Sequence, residues 1–133
     1  SLVIQTAKHK VFFSGDTGLT TEYATIRERL GPFDLVMLEV GAHHPSWGDI
    51  HLGPDNALKA LRMLGARRML PTHWATFNLG LHAWSEPAET LYQAAQPLGV
   101  TLLLPRPGQS VEVVEVGGPG GDTPTGPWWR QPF

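Results

Sequence analysis

A chain of 133 residues with 41% hydrophobic and 17% charged side chains suits one domain, able to bury roughly two-thirds of the surface its unfolded form exposes. Ten basic against twelve acidic residues leave a net charge of −2, which argues against an obligatory polyanionic partner and sets nucleic-acid binding aside. With no cysteine there is neither a disulfide framework nor a thiolate metal site, so His, Asp and Glu are the metal ligands available, and no stretch approaches the roughly 20 apolar residues of a transmembrane segment.

Leu2 to Gln5 is a short apolar strand, and TAKHK (Thr6 to Lys10) is the polar connection into Val11 to Phe13, which predicts an opening β-hairpin with His9 in its turn. The second strand runs into Ser14, Gly15, Asp16, Thr17 and Gly18, a carboxylate delivered between two glycines at a strand end. A helix is predicted from about Thr21 to Leu30, capped by Thr20 or Thr21 and stopped by Gly31-Pro32. FDLVMLEV (Phe33 to Val40) reads as a strand covered on both faces, and Ala42 to Gly53 as an irregular loop holding His43, His44, Trp47, Asp49 and His51. A second helix begins at Pro54, shows Ala57, Leu58, Leu61 and Leu64 on one face, and closes at Gly65.

Arg67 to Pro71 is a strand that runs directly into Thr72, His73 and Trp74, repeating the Asp16 arrangement, and a mixed loop continues to Trp84. Ser85 and Glu86 start a third helix that ends by Gly99. Val100 to Leu104 and Ser110 to Val116 are expected as closing strands around a turn at Pro105 to Gln109. Residues 1 to 116 form the domain in this reading, and 117 to 133 a Gly/Pro-rich irregular tail whose Trp128 and Trp129 are candidates to dock on the body. The alternation of strands and helices predicts an α/β fold with parallel pairing in the middle.

Asp16 and His73 leave strands of one sheet and so can converge on one rim, where a carboxylate and an imidazole suit zinc. Two ligands do not complete a catalytic site, and strand-end Asp and His residues also occur as turn formers. His51 precedes a helix N-terminus that favours anions. His43 and His44 share its loop, a cluster that can supply extra ligands, a general acid or substrate contacts, or nothing beyond hydrogen bonding, while His82 and Glu39 are read as structural, Glu39 by reaching a neighbour's donor.

FFSGDTG (12 to 18), GPFDLVMLEVGAHHPSWGDIHLGPDNAL (31 to 58) and LPTHWATF (70 to 77), in that order, resemble the C-terminal half of a metallo-β-lactamase-fold hydrolase, in the branch of N-acylphosphatidylethanolamine-hydrolysing phospholipase D and its bacterial relatives. The resemblance covers roughly residues 2 to 115. It implies half of an αββα sandwich, a mixed sheet with helices on one face, and two zinc ions at the sheet edge, with manganese or iron as alternatives. By position it makes Asp16 the bridging aspartate and His73 the last metal-binding histidine. It makes His51 a catalytic histidine serving the substrate or leaving group, and leaves His43, His44 and Trp74 as substrate-binding candidates.

The family's HxHxDH motif belongs upstream of the GDTG segment and is absent here, so the chain is expected to be a fragment that associates with an N-terminal half or with a second copy. The activity implied is metal-assisted hydrolysis of a small-molecule or lipid-like phosphodiester, in a cytoplasmic enzyme peripheral to the membrane where its substrate is a lipid. A lactonase of the same superfamily and a non-catalytic assembly module are the alternatives. A phospho-acceptor role for Asp16 lacks the acidic and lysine partners that magnesium would need.

Overall fold

In the computed structural model, which describes residues 1–114 and 126–131, five strands form one sheet, ordered as they occur along the chain. β1 (Leu2–Gln5) and β2 (Lys10–Phe13) are an antiparallel hairpin whose turn is held by Thr6, its hydroxyl accepting from the N–H groups of Lys8 and His9. β3 (Leu35–Glu39), β4 (Arg68–Thr72) and β5 (Thr101–Leu102) add in parallel, each preceded by a helix: α1 (Glu22–Leu30), α2 (Gly53–Met63) and α3 (Glu86–Ala95). Strands laid down in one direction through right-handed crossovers put all three helices on the same side. α2 accordingly packs on α1, α3 and β3.

Alternation along each strand decides which side chains meet the helices. Phe12, Val36, Met69 and Leu102 fall in one row of the register and, with Leu38, join Tyr23, Ala57, Leu61, Leu64 and Leu91 in the core. Leu2, Ile4, Val11, Phe13, Met37 and Leu70 alternate with that set and point to the opposite face. There Leu2 is 48% and Ile4 53% exposed, and the other four are half-buried. The sheet is therefore covered by helices on one face and left apolar on the other, the layering expected of half a four-layer sandwich.

The predicted elements shorten at their ends for local reasons. The apolar run Phe33 to Val40 pairs as a strand over Leu35–Glu39 only, because the Asp34 carboxylate turns back to accept the Lys10 N–H at 2.7 Å. Of the cap candidates for α1, Thr20 acts, its hydroxyl accepting from the Glu22 N–H, whereas Thr21 makes no side-chain cap. The last predicted strand is corrected: residues 110–114 form no strand, their chain being caught instead by Arg68, whose guanidinium donates to the Val114 carbonyl, and 115–116 lie outside the described residues. The first closing strand contracts to β5, although Leu103 N–H still bonds the Met69 carbonyl. Near the chain's end a single 3-10 turn, Trp128–Arg130, returns to the body and buries Trp129 to 6% exposure.

Candidate metal centre

β2, β3 and β4 end side by side at one edge of the sheet, and each hands a side chain to the same spot. β3 contributes Glu39, 1% exposed, in register with Thr72 of β4. A carboxylate this deep needs donors, and three converge on it. The backbone N–H of Thr17 donates to Oε1 at 2.7 Å, the backbone N–H of Leu52 to the same oxygen at 3.2 Å, and His51 Nδ1 lies 2.5 Å from Oε2. The acid placed in an apolar strand thus ties the GDTG segment and the histidine loop to the sheet edge. An ionised carboxylate only accepts, so the proton of the His51 bond sits on Nδ1 and the lone pair of its ring lies at Nε2.

Two glycines let these segments close up. A Cβ on Gly18 would stand 1.9 Å from the Asp49 carbonyl oxygen, so the histidine loop lies directly on the backbone after Asp16. Asp49 in turn accepts the Leu19 N–H at 3.2 Å. A Cβ on Gly41 would stand 1.8 Å from the carbonyl oxygen of His73, which ties the end of β3 to the turn that presents that histidine. His73 itself has φ +63° and Ala75 φ +69°, left-handed backbone at two residues with a Cβ.

Held this way, His73 stacks on His51 with ring centres 5.0 Å apart and planes 25° from parallel. Its Nδ1 faces Glu39 Oε2 at 3.7 Å and its Nε2 faces Asp16 Oδ2 at 3.8 Å. That second separation exceeds the roughly 3.2 Å limit of a direct hydrogen bond. It suits a shared ion with each donor atom about 2.0–2.1 Å from it. Asp16 is 66% exposed and His73 32%, so both reach the open side of the rim. Glu39, His51 and His73 also offer ligand atoms within 4.8 Å of one another. Glu39 is 1% exposed and already accepts three hydrogen bonds, which places its carboxylate behind the site, whereas the side chains of Asp16 and His73 reach its open side.

Of the six residues singled out in the sequence, Asp16, His51 and His73 come together around Glu39. Trp74 follows His73 and lines a cavity of about 290 Å³ with Trp84, Phe77, Leu79 and His82. His43 stands behind that cavity: its backbone N–H meets His82 Nε2 at 3.4 Å, the two rings lie 5.0 Å apart, and Gly53 leaves the space that its ring fills. Burial, and then the neighbouring His82, push its imidazole pKa below the ordinary value. His44 is turned elsewhere, its Nδ1 accepting from the Ser46 N–H as the cap of a one-turn 3-10 helix at Pro45–Trp47. Glu39 and His82, expected from the sequence to be structural, form the site's support and part of the cavity wall respectively. An acid inside an apolar strand signals that Glu39 finds donors, but not that they are Thr17, Leu52 and His51.

The sequence profile of the β-lactamase superfamily domain matches residues 1–74, a span that includes GDTG, Glu39 and His51. The chain belongs to this family. An uncharacterized protein of Mycobacterium tuberculosis is 42% identical over 92% of the chain, which covers 32% of that protein. The N-acyl-phosphatidylethanolamine-hydrolyzing phospholipase D 1 of Caenorhabditis elegans is 36% identical over 62% of the chain and 24% of its own length. The chain spans about a third or less of these relatives. Among solved structures, an isothiocyanate hydrolase from Delia radicum gut bacteria superposes with a TM-score of 0.66 at 23% identity, covering 85% of the chain and 44% of that structure. A metallo hydrolase from Ignicoccus hospitalis gives 0.59 at 23%, covering 82% and 43%. At that identity these likenesses establish the fold, whose sheet with helices on one face this β-lactamase superfamily chain reproduces.

Proposed function

We propose that this chain supplies one side of the metal centre of a zinc-dependent hydrolase, acting in its whole form on a phosphodiester of the N-acylated phospholipid kind. The observation that carries the reading is the 3.8 Å approach of Asp16 Oδ2 to His73 Nε2 on an open rim backed by the buried Glu39. Zinc at such a pair would polarise the scissile group and ready a water for attack near pH 7. Asp16 and His73 would hold it from this side, with the remaining ligands supplied from outside these residues. His51, its Nδ1–H committed to Glu39, accepts a proton at Nε2 as the nucleophile forms and returns it to the leaving oxygen, while the Glu39 carboxylate stabilises the intervening imidazolium.

The substrate class follows the phospholipase relatives, and the cavity beside His73, walled by Trp74, Trp84, Phe77 and Leu79, gives an apolar substituent a place next to the metal. The open apolar face of the sheet fits an N-terminal half or a second copy of this chain. The test is metal content of the purified protein by elemental analysis, before and after adding zinc, together with Asp16→Ala and His73→Ala. Measured on the whole protein in which both sides of the centre are present, zinc in the parent and its loss in both variants is the expected result, and a whole protein that takes up no metal overturns the proposal. Turnover of a lactone but not of a phosphodiester would move the substrate to the other branch of the superfamily.

A further inference from the structure

The turn that carries His73 lies past the last paired residue of β4, Thr72, and its backbone takes the left-handed region twice, at His73 and Ala75. Such a turn keeps its shape only when its surroundings fix it. Gly41 fixes one side. On the other stands Trp74, whose Nε1–H folds back to the Pro71 carbonyl at 3.0 Å and whose ring meets two tryptophans from the far end of the chain. Trp128 lies 5.6 Å from it, inclined by 31°, and Trp129 lies 5.3 Å from it, edge-on at 87°.

Those two rings are themselves anchored. Trp128 donates to the Leu104 carbonyl just beyond β5, and Trp129 donates to Glu89 on α3 at 3.0 Å. Arg130 grips the same carboxylate through Nε at 2.9 Å and Nη2 at 2.6 Å and lies over the Tyr92 ring. The tail therefore touches α3, the end of β5 and the residue after a candidate metal ligand, and it reaches no other part of the rim through these bonds.

We propose that Trp128, Trp129 and Arg130 form a clip that positions His73 by immobilising Trp74. Without it the turn after β4 would still follow the sheet, but the His73 imidazole would lose its fixed angle between Asp16 and Glu39. The three are positioning residues, since none of them touches the reacting atoms.

The test uses the whole protein labelled with 15N-histidine and recorded without metal, comparing the parent with Trp128→Leu/Trp129→Leu and with Arg130→Met. In both variants the His73 ring signals should shift or broaden while those of His9 and His44 stay in place, and Arg130→Lys, which keeps a positive charge against Glu89 but only part of the grip, should move them less than Arg130→Met. Zinc affinity should fall about tenfold in the double variant, the size of effect seen when residues supporting a metal ligand are removed. Arg130 is half-exposed, so its variant keeps the fold and decides the matter by the same signals if the double variant does not fold. His73 signals unchanged in the folded variants overturn the proposal, as does a shift shared equally by every histidine. The zinc readout rests on the metal reading above, whereas the metal-free signals do not. A parent that binds no zinc would sink that reading alone.

Discussion

Glu39 and Asp16 follow neighbouring parallel strands to the same edge of the sheet, yet one is 1% and the other 66% exposed. In the inner layer of the rim Glu39 and Leu52 are buried, Thr17 and His51 are half-buried beside them, and all four are hydrogen-bonded within the chain. The outer layer, Asp16 and His73, faces outward with its donor atoms 3.8 Å apart. The difference separates two tasks that carboxylates perform in one site. A buried acid surrounded by donors fixes loop geometry before any ligand arrives, and an exposed one keeps its oxygens for the ligand.

The sharpest way to break the contrast is to exchange the expected phenotypes. Glu39→Ala strands the buried Leu52 N–H and the half-buried Thr17 N–H and frees the histidine loop, so it should lower stability by about 3 kcal/mol, measured by urea unfolding. Asp16→Ala should leave stability within about 0.5 kcal/mol, as for an exposed side chain. It should also weaken zinc binding at least about a hundredfold, equivalent to about 2.7 kcal/mol. A Glu39 variant as stable as the parent, or an Asp16 variant that unfolds early, would mean that the two layers are not distinct.

Gly41→Ala probes the joint between β3 and the His73 turn. Its Cβ would overlap a backbone oxygen, which no rotamer change relieves, and the cost expected is about 2 kcal/mol by thermal unfolding. The accompanying loss of zinc affinity should exceed that of Gly15→Ala, where a Cβ meets nothing within 4 Å although φ is +61°. Equal losses at the two glycines would show that backbone strain, and not the contact with His73, is what the site feels.

How legible these features were in the sequence depended on the range over which their cause acts. The helices were set by local signals, Thr20, the apolar stripe of α2 and the closing glycines, and they stand within a residue or so of expectation at their starts. The meeting of Asp16 and His73 at one rim was readable because each follows the end of a strand of the same sheet, which is itself a local pattern. Glu39 as the hub was not, since its donors come from Thr17 and Leu52, residues that only the fold brings to it. The strand expected at Ser110 to Val116 failed over 110–114 for the complementary reason: its composition suits a strand, but Arg68 takes up the Val114 carbonyl instead. The tail's composition likewise suggested irregular chain, and its two tryptophans find partners spread over Trp74, Trp84 and Tyr92.

The smallest expected effect concerns the bond that keeps this tail in place. Hydrogen bonds from Arg130, and then from Trp129, hold the Glu89 carboxyl down at about 2, against an ordinary value of 4.5. Because the folded value lies below the unfolded one, the stabilisation is complete above about pH 5 and fades as the pH falls from there toward 2. Glu89→Gln should therefore be less stable than the parent by a constant margin from neutral pH to about 5, and the two should converge as the acid form takes over. The margin is modest because the Arg130 end of the pair is half-exposed and screened by salt. A margin that stays the same down to pH 2 would show that Glu89 is not the anchor. Convergence near pH 2 would mean that the Glu89 carboxylate is what clips the tail to α3, and that the clip is fully closed from neutral pH down to about 5.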